Sequence, residues 1–120
     1  MNILIVEDDE DRAKELKQYM QTKSIRIVIA RDGMEALMIL RKQIVPIDLI
    51  LSDSNMPAMD GFRLAKEVKK LFTTPFFLYS SRRITDDNKN LAMELGADHC
   101  LDNTEIDGIG SEALTVFAAL

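Results

Sequence analysis

The chain alternates, five times over, a short apolar run with a stretch of helical periodicity, and this alternation constrains its fold most. The apolar runs fall at 2–6, 25–30, 49–52, 76–79 and 99–101. Short apolar runs bounded by turn residues read as buried strands. Strands alternating with helices imply βαβ units and a parallel sheet. Such crossovers are right-handed in nearly all proteins, so every strand ends on the same edge of the sheet. One α/β domain spanning 1–120 is the expectation.

The helical stretches carry their own signals. Ala13, Leu16 and Met20 mark one face of a first helix. Asp32 and Glu35 form a variant capping box for a second, with Ala36, Leu37, Leu40 and Ile44 as its buried stripe and Pro46 as its stop. A third, 62–71, turns Leu64, Ala65, Val68 and Leu71 inward and Arg63, Lys66, Lys69 and Lys70 mostly outward. Thr85 caps a fourth, striped by Leu91, Ala92 and Leu95 and stopped at Gly96 in a left-handed conformation. In the last segment Gly108 and Gly110 are expected to delay the helix, whose apolar face is Ala113, Leu114, Phe117 and Ala118. The apolar ending from Val116 to Leu120 reads as a cut within or just after that helix, so the chain is either a stand-alone unit or a fragment.

The shared edge collects Glu7 and Asp8 after the first strand, Asp53 after the third, Ser80 and Ser81 after the fourth, and Asp102 and Asn103 after the fifth. Open α/β sheets bind ligands at this edge. Three convergent carboxylates, Glu7, Asp8 and Asp53, repel one another unless a proton is retained or a cation binds. Hard oxygen donors suit Mg²⁺. A carboxylate held against Mg²⁺ can attack a phosphoryl group and become an aspartyl phosphate. Ser80 is placed to donate a hydrogen bond to a phosphoryl oxygen. Asp9, Glu10 and Asp11 read instead as helix-start acids, favoured by the helix dipole. His99 and Cys100 read as packing residues.

Composition removes other classes. Net charge is −5 with no long basic run, which argues against direct nucleic-acid binding. The single cysteine, Cys100, has no intramolecular partner, and with one histidine a zinc site is not expected. The first apolar run is too short for a signal peptide or a membrane span, so a cytoplasmic protein without a membrane partner is expected.

Four pieces together resemble the receiver domain of two-component response regulators: Ile3 to Asp9, Asp53 to Gly61, Pro75 to Ser81, and Gly96-Ala97-Asp98. The resemblance implies a flavodoxin-like, three-layer α/β/α fold with strand order 2-1-3-4-5. It implies that Asp53 takes a phosphoryl group from a sensor histidine kinase or phosphotransfer protein. Asp8 and Asp53 would hold Mg²⁺ directly, Glu7 through water, and Asn55 by its backbone carbonyl. Ser80 would be the switch hydroxyl and Ser81 the small residue that leaves the site open. Asn55 and Arg82 would tune phosphoryl lifetime. The output would pass to a downstream effector or a fused output domain through the face of the fourth helix, fifth strand and fifth helix. Such a chain is a signalling domain, not an enzyme beyond phosphoryl transfer and autodephosphorylation.

Three positions depart from the family pattern. Asn103 and Thr104 stand where a lysine and a proline are usual, and Cys100 stands where an aromatic residue reports the switch. Arg82 or Arg83 is the candidate source of the missing positive charge. The departures keep a second reading open, an atypical receiver that binds its partner without phosphorylation. A metal-dependent phosphohydrolase is disfavoured because Asn55 stands where a second aspartate is usual. A flavin-binding domain is disfavoured because the acids from Glu7 to Asp11 repel a phosphate.

Overall fold

The computed structural model describes residues 1–120. Its strands are β1 (Asn2–Val6), β2 (Arg26–Ala30), β3 (Leu49–Asp53), β4 (Phe76–Tyr79) and β5 (His99–Cys100). Its helices are α1 (Glu10–Met20), α2 (Gly33–Lys42), α3 (Gly61–Leu71), α4 (Asp86–Leu95) and α5 (Ile106–Ala118). All strand pairs are parallel, in the order β2-β1-β3-β4-β5. This is the flavodoxin-like arrangement implied by the resemblance.

The central strands are continuous apolar runs because both faces of a parallel sheet are covered. Ile3 and Ile5 of β1, Leu49 and Leu51 of β3 and Phe77 of β4 pack with Leu16 and Met20 of α1 and Ile109 and Ala113 of α5. Leu4, Val6, Ile50, Phe76 and Leu78 face the other way, against Ala36, Leu37 and Leu40 of α2, Leu64, Ala65 and Val68 of α3, and Ala92 of α4. The strict period of two assigns what comes next along each strand. Glu7 continues the series Ile3, Ile5; Asp53 continues Leu49, Leu51; Tyr79 continues Phe77. Register aligns them, with Val6 opposite Ser52 and Asp53 opposite Tyr79. The acids therefore emerge side by side, on the α1–α5 side of the sheet.

Several local expectations are corrected. The capping box at α2 is displaced: Asp32 accepts from the Glu35 amide at 2.8 Å, but Glu35 accepts from Arg31 rather than Asp32. The helix closes at Lys42, with Gln43 left-handed at φ 53°, so Ile44 lies outside it and is 80% exposed. Leu71 and Leu91 are exposed rather than inward, as is Ala118. The last helix is not delayed by its glycines: α5 starts at Ile106 and runs through both. Gly110 is needed there for helix approach, since a Cβ would stand 2.7 Å from Tyr19 Cδ1 on α1. Thr85 caps α4 as expected, accepting from the Asn88 amide at 3.2 Å, and Gly96 ends it at φ 122°.

Candidate functional site

Asp53 is the last residue of β3 and is nearly buried, at 8% exposure. Its Oδ1 accepts from the Asn55 amide at 3.2 Å. The chain then turns through Pro57 and Ala58, the latter left-handed at φ 65°, and returns at Gly61. The Gly61 amide donates to the Ser54 carbonyl at 3.0 Å. A Cβ on Gly61 would lie 2.3 Å from the Asp53 carbonyl oxygen, so only glycine lets α3 start this close to Asp53.

Glu7 is fully buried, at 1% exposure, and all its hydrogen bonds are received. Tyr79 Oη donates to its Oε1 at 2.8 Å and Arg12 Nε to the same oxygen at 3.2 Å. The Asp9 amide donates to its Oε2 at 3.2 Å. Asp9 is also the N-cap of α1, accepting from the amides of Asp11 and Arg12, and Glu10 and Asp11 fill the first turn as expected of helix-start acids. Asp8 is exposed beside this pair. One carboxylate oxygen each from Glu7, Asp8 and Asp53 lies within 4.8 Å of the others.

The electrostatics follow from that crowding. Burial, reinforced by the Glu7 charge, pushes the Asp53 carboxyl up from 3.8 to about 7, against the pull of the Asn55 amide and the Arg12 charge. Burial and Glu7 also push the Tyr79 phenol well above its usual range, so it stays a donor. Burial works against the Arg12 charge, but the hydrogen bond and charge of Glu7 outweigh it and raise its pKa. Asp53 thus tends to retain a proton near neutral pH, and a divalent cation could supply the alternative compensation.

The remaining expected residues are less united. Ser80 is half-buried at the end of β4, and its Oγ accepts from the Arg82 amide at 3.1 Å. Ser81, Arg82 and Arg83 are exposed, and neither arginine enters an ion pair. Asn103 is exposed and directs its amide to Glu112 on α5, with Nδ2 to Oε1 at 2.8 Å. Glu112 also accepts from the Asp102 and Asn103 amides and meets His99 Nε2 at 3.3 Å. Burial raises the Glu112 pKa, but those bonds outweigh it and leave it lowered. Cys100 is buried, and burial raises its thiol pKa. His99 packs edge-on against Phe77.

Two site residues escaped the sequence reading, Arg12 and Tyr79. Tyr79 was visible only as a strand residue; the alternation that puts it on the same face as Glu7 was the available signal. Arg12 directly follows an acidic run that reads as a helix start, and its one turn of helix from Asp8 was the hint.

The comparisons agree with this geometry. The response regulator receiver domain family matches residues 3–105. Response regulator GtcR of Aneurinibacillus migulanus is 36% identical over 96 residues, covering 80% of this chain and 38% of that protein. Sensor histidine kinase RcsC of Escherichia coli is 32% identical over 119 residues, covering 98% of this chain but 12% of that protein. The chain thus spans well under half the length of these relatives. The Francisella response regulator 1452 receiver domain superposes with a TM-score of 0.83 at 27% identity, covering 98% of this chain and 97% of that one. No helix is long and apolar enough to cross a membrane. With this fold, this acidic edge and a family match across most of its length, the chain belongs to the response regulator receiver domains.

Proposed function

We propose that the 120 residues form one receiver domain that accepts a phosphoryl group on Asp53 from a phosphohistidine. The observation that carries this reading is the convergence of Glu7, Asp8 and Asp53 within 4.8 Å at the carboxyl edge of the sheet. The donor set fits Mg²⁺: hard oxygens, one exposed side for retained waters, and an Asp53 pKa raised by burial and then by the Glu7 charge. Asp8 and Asp53 would hold the ion directly, Glu7 through water and Asn55 through its carbonyl. When bound, Mg²⁺ neutralises charge on the transferred oxygens.

The chain's own residues account for the rest. An Asp53 carboxylate oxygen attacks phosphorus, a P–O bond forms and the P–N bond to histidine breaks. The histidine nitrogen leaves with that electron pair. The Asn55 amide holds Asp53 Oδ1 in place. Tyr79 and Arg12 hold Glu7 in place beside Asp53. The Ser80 hydroxyl, at the neighbouring strand end, turns to donate to the phosphoryl oxygen and carries the change to the α4–β5–α5 face. The donor is a histidine kinase or a phosphotransfer protein, and the output is an effector or a fused domain. A match within a sensor kinase as well as a response regulator supports that setting.

A second reading, an atypical receiver acting as a phosphorylation-independent protein-binding module, is favoured by one observation: the Asn103 amide is already engaged by Glu112. Intact mass after acetyl phosphate treatment, with Mg²⁺ or chelator, separates the two. A Mg²⁺-dependent phosphoryl adduct lost in Asp53→Ala supports the first. No adduct on a protein that demonstrably binds Mg²⁺ selects the second.

A further inference from the structure

Arg12 holds a donor that the folded chain leaves unused. Its Nε donates to Glu7, while its Nη2 is buried and has no hydrogen-bond partner. A guanidinium is always charged and offers five N–H donors in a planar fork. A buried donor without an acceptor is costly, and more so when it is charged. Such a group calls for an acceptor that arrives from outside.

The surroundings indicate which acceptor. Arg12 lies in the first turn of α1, directly after the acids of the β1 edge, and its charge acts on Asp53 as well as on Glu7. Other cations are paired or exposed: Lys89 pairs with Asp102, Lys69 with Asp98, and Arg82 and Arg83 are exposed and enter no ion pair. Asn103, on β5's far side of the edge, gives its amide to Glu112.

We propose that Arg12 is an anion-binding residue whose Nη2 donates to an oxygen of the phosphoryl group on Asp53, while its Nε holds Glu7. This rests on the reading of Asp53 as phosphoryl acceptor. One planar fork then serves two acceptors, the fixed carboxylate and the incoming anion. The positive charge at the site comes from α1, not from the segment after β4 that carries Arg82 and Arg83.

The test uses beryllofluoride, a stable phosphoryl mimic, titrated at saturating Mg²⁺ and followed by amide NMR shifts. Mg²⁺ alone is titrated in parallel. Arg12→Gln is expected to weaken beryllofluoride binding by about tenfold to a hundredfold, as for loss of a charged hydrogen bond. Mg²⁺ alone should bind as tightly or more tightly, because a cation beside the acids has gone. Arg12→Lys keeps the charge but not the fork and should fall between; it carries the test if the glutamine variant does not fold. Arg82→Ala with Arg83→Ala should weaken beryllofluoride less than Arg12→Gln does; the reverse order would place the positive charge after β4 and overturn the proposal. Unchanged beryllofluoride binding in the Arg12 variants overturns the proposal. So does equal weakening of both ligands, which would leave Arg12 only its hold on Glu7. If the parent takes up no beryllofluoride at all, the reading of Asp53 fails first and the role of Arg12 falls with it.

Discussion

At the scale of single residues, the site is a buried carboxylate with its compensation built in. Glu7 sits at 1% exposure, and an ionised group that deep persists only if its lone pairs are met. Tyr79, Arg12 and the Asp9 amide meet them. Tyr79→Phe keeps the ring in its packing place and removes one charged hydrogen bond. Stability should fall by about 1.5–3 kcal/mol. Urea unfolding should show a lower midpoint with an unchanged slope; an unmoved midpoint would mean that Arg12 and the Asp9 amide suffice for Glu7. The acidic trio was legible in the sequence because strand ends in a parallel sheet share an edge, and each acid directly follows an apolar run. Its partners were not legible. A tyrosine at the end of Phe76-Phe77-Leu78-Tyr79 reads as one more apolar residue, and only register with β3 reveals that its hydroxyl meets Glu7.

At the scale of elements, β3 and α3 are joined through a contact that allows no side chain. Gly61 has its α-carbon against the Asp53 backbone: an added Cβ would meet that carbonyl oxygen at 2.3 Å, Leu78 Cδ1 at 2.5 Å and Ser54 Cα at 2.9 Å. Two of these are backbone atoms of Asp53 itself and of the residue that follows it. Gly61→Ala should therefore cost about 3 kcal/mol or more, at or beyond the usual upper range for overpacking. It should also displace Asp53, so that phosphorylation by acetyl phosphate slows even in the fraction that remains folded. Wild-type stability in this variant, measured by thermal unfolding, would refute the close contact. Strands and the first four helices were legible because periodicity and caps agreed. The ends of elements were less so. Ile44 fits the α2 stripe by spacing, yet the left-handed Gln43 ends the helix before it is reached. Gly108 and Gly110 read as breakers because an isolated glycine weakens a helix. In α5 the close approach of Tyr19 and Met20 to Gly110, and of the Asn103 side chain to Gly108, outweighs that propensity.

At the scale of the whole molecule, the site sets the protein's response to pH and to cations. Asp53 titrates near 3.8 in an unfolded chain and at about 7 in the folded one. Between those values the folded state holds a proton that the unfolded state has lost, so stability declines as pH rises. The contribution is complete below about 4, and it is gone once pH passes through about 7. Its upper bound is about 4 kcal/mol, less because part of the Asp53 shift is an interaction shared with the neighbouring Glu7 carboxylate. Asp53→Asn removes the titrating charge. In chelator the variant should match the parent near pH 4 and exceed it in unfolding midpoint by pH 7.5. On the proposed reading, Mg²⁺ competes with that proton for the same oxygens. The midpoint gain on adding Mg²⁺ should therefore grow with pH, level off above about 7, and be much smaller in Asp53→Asn. Parallel pH curves for parent and variant in chelator would show that Asp53 is not the strained carboxylate. A pH-independent Mg²⁺ gain would place the ion away from Asp53. Both results together would remove the electrostatic basis for reading this edge as a phosphoryl-accepting site.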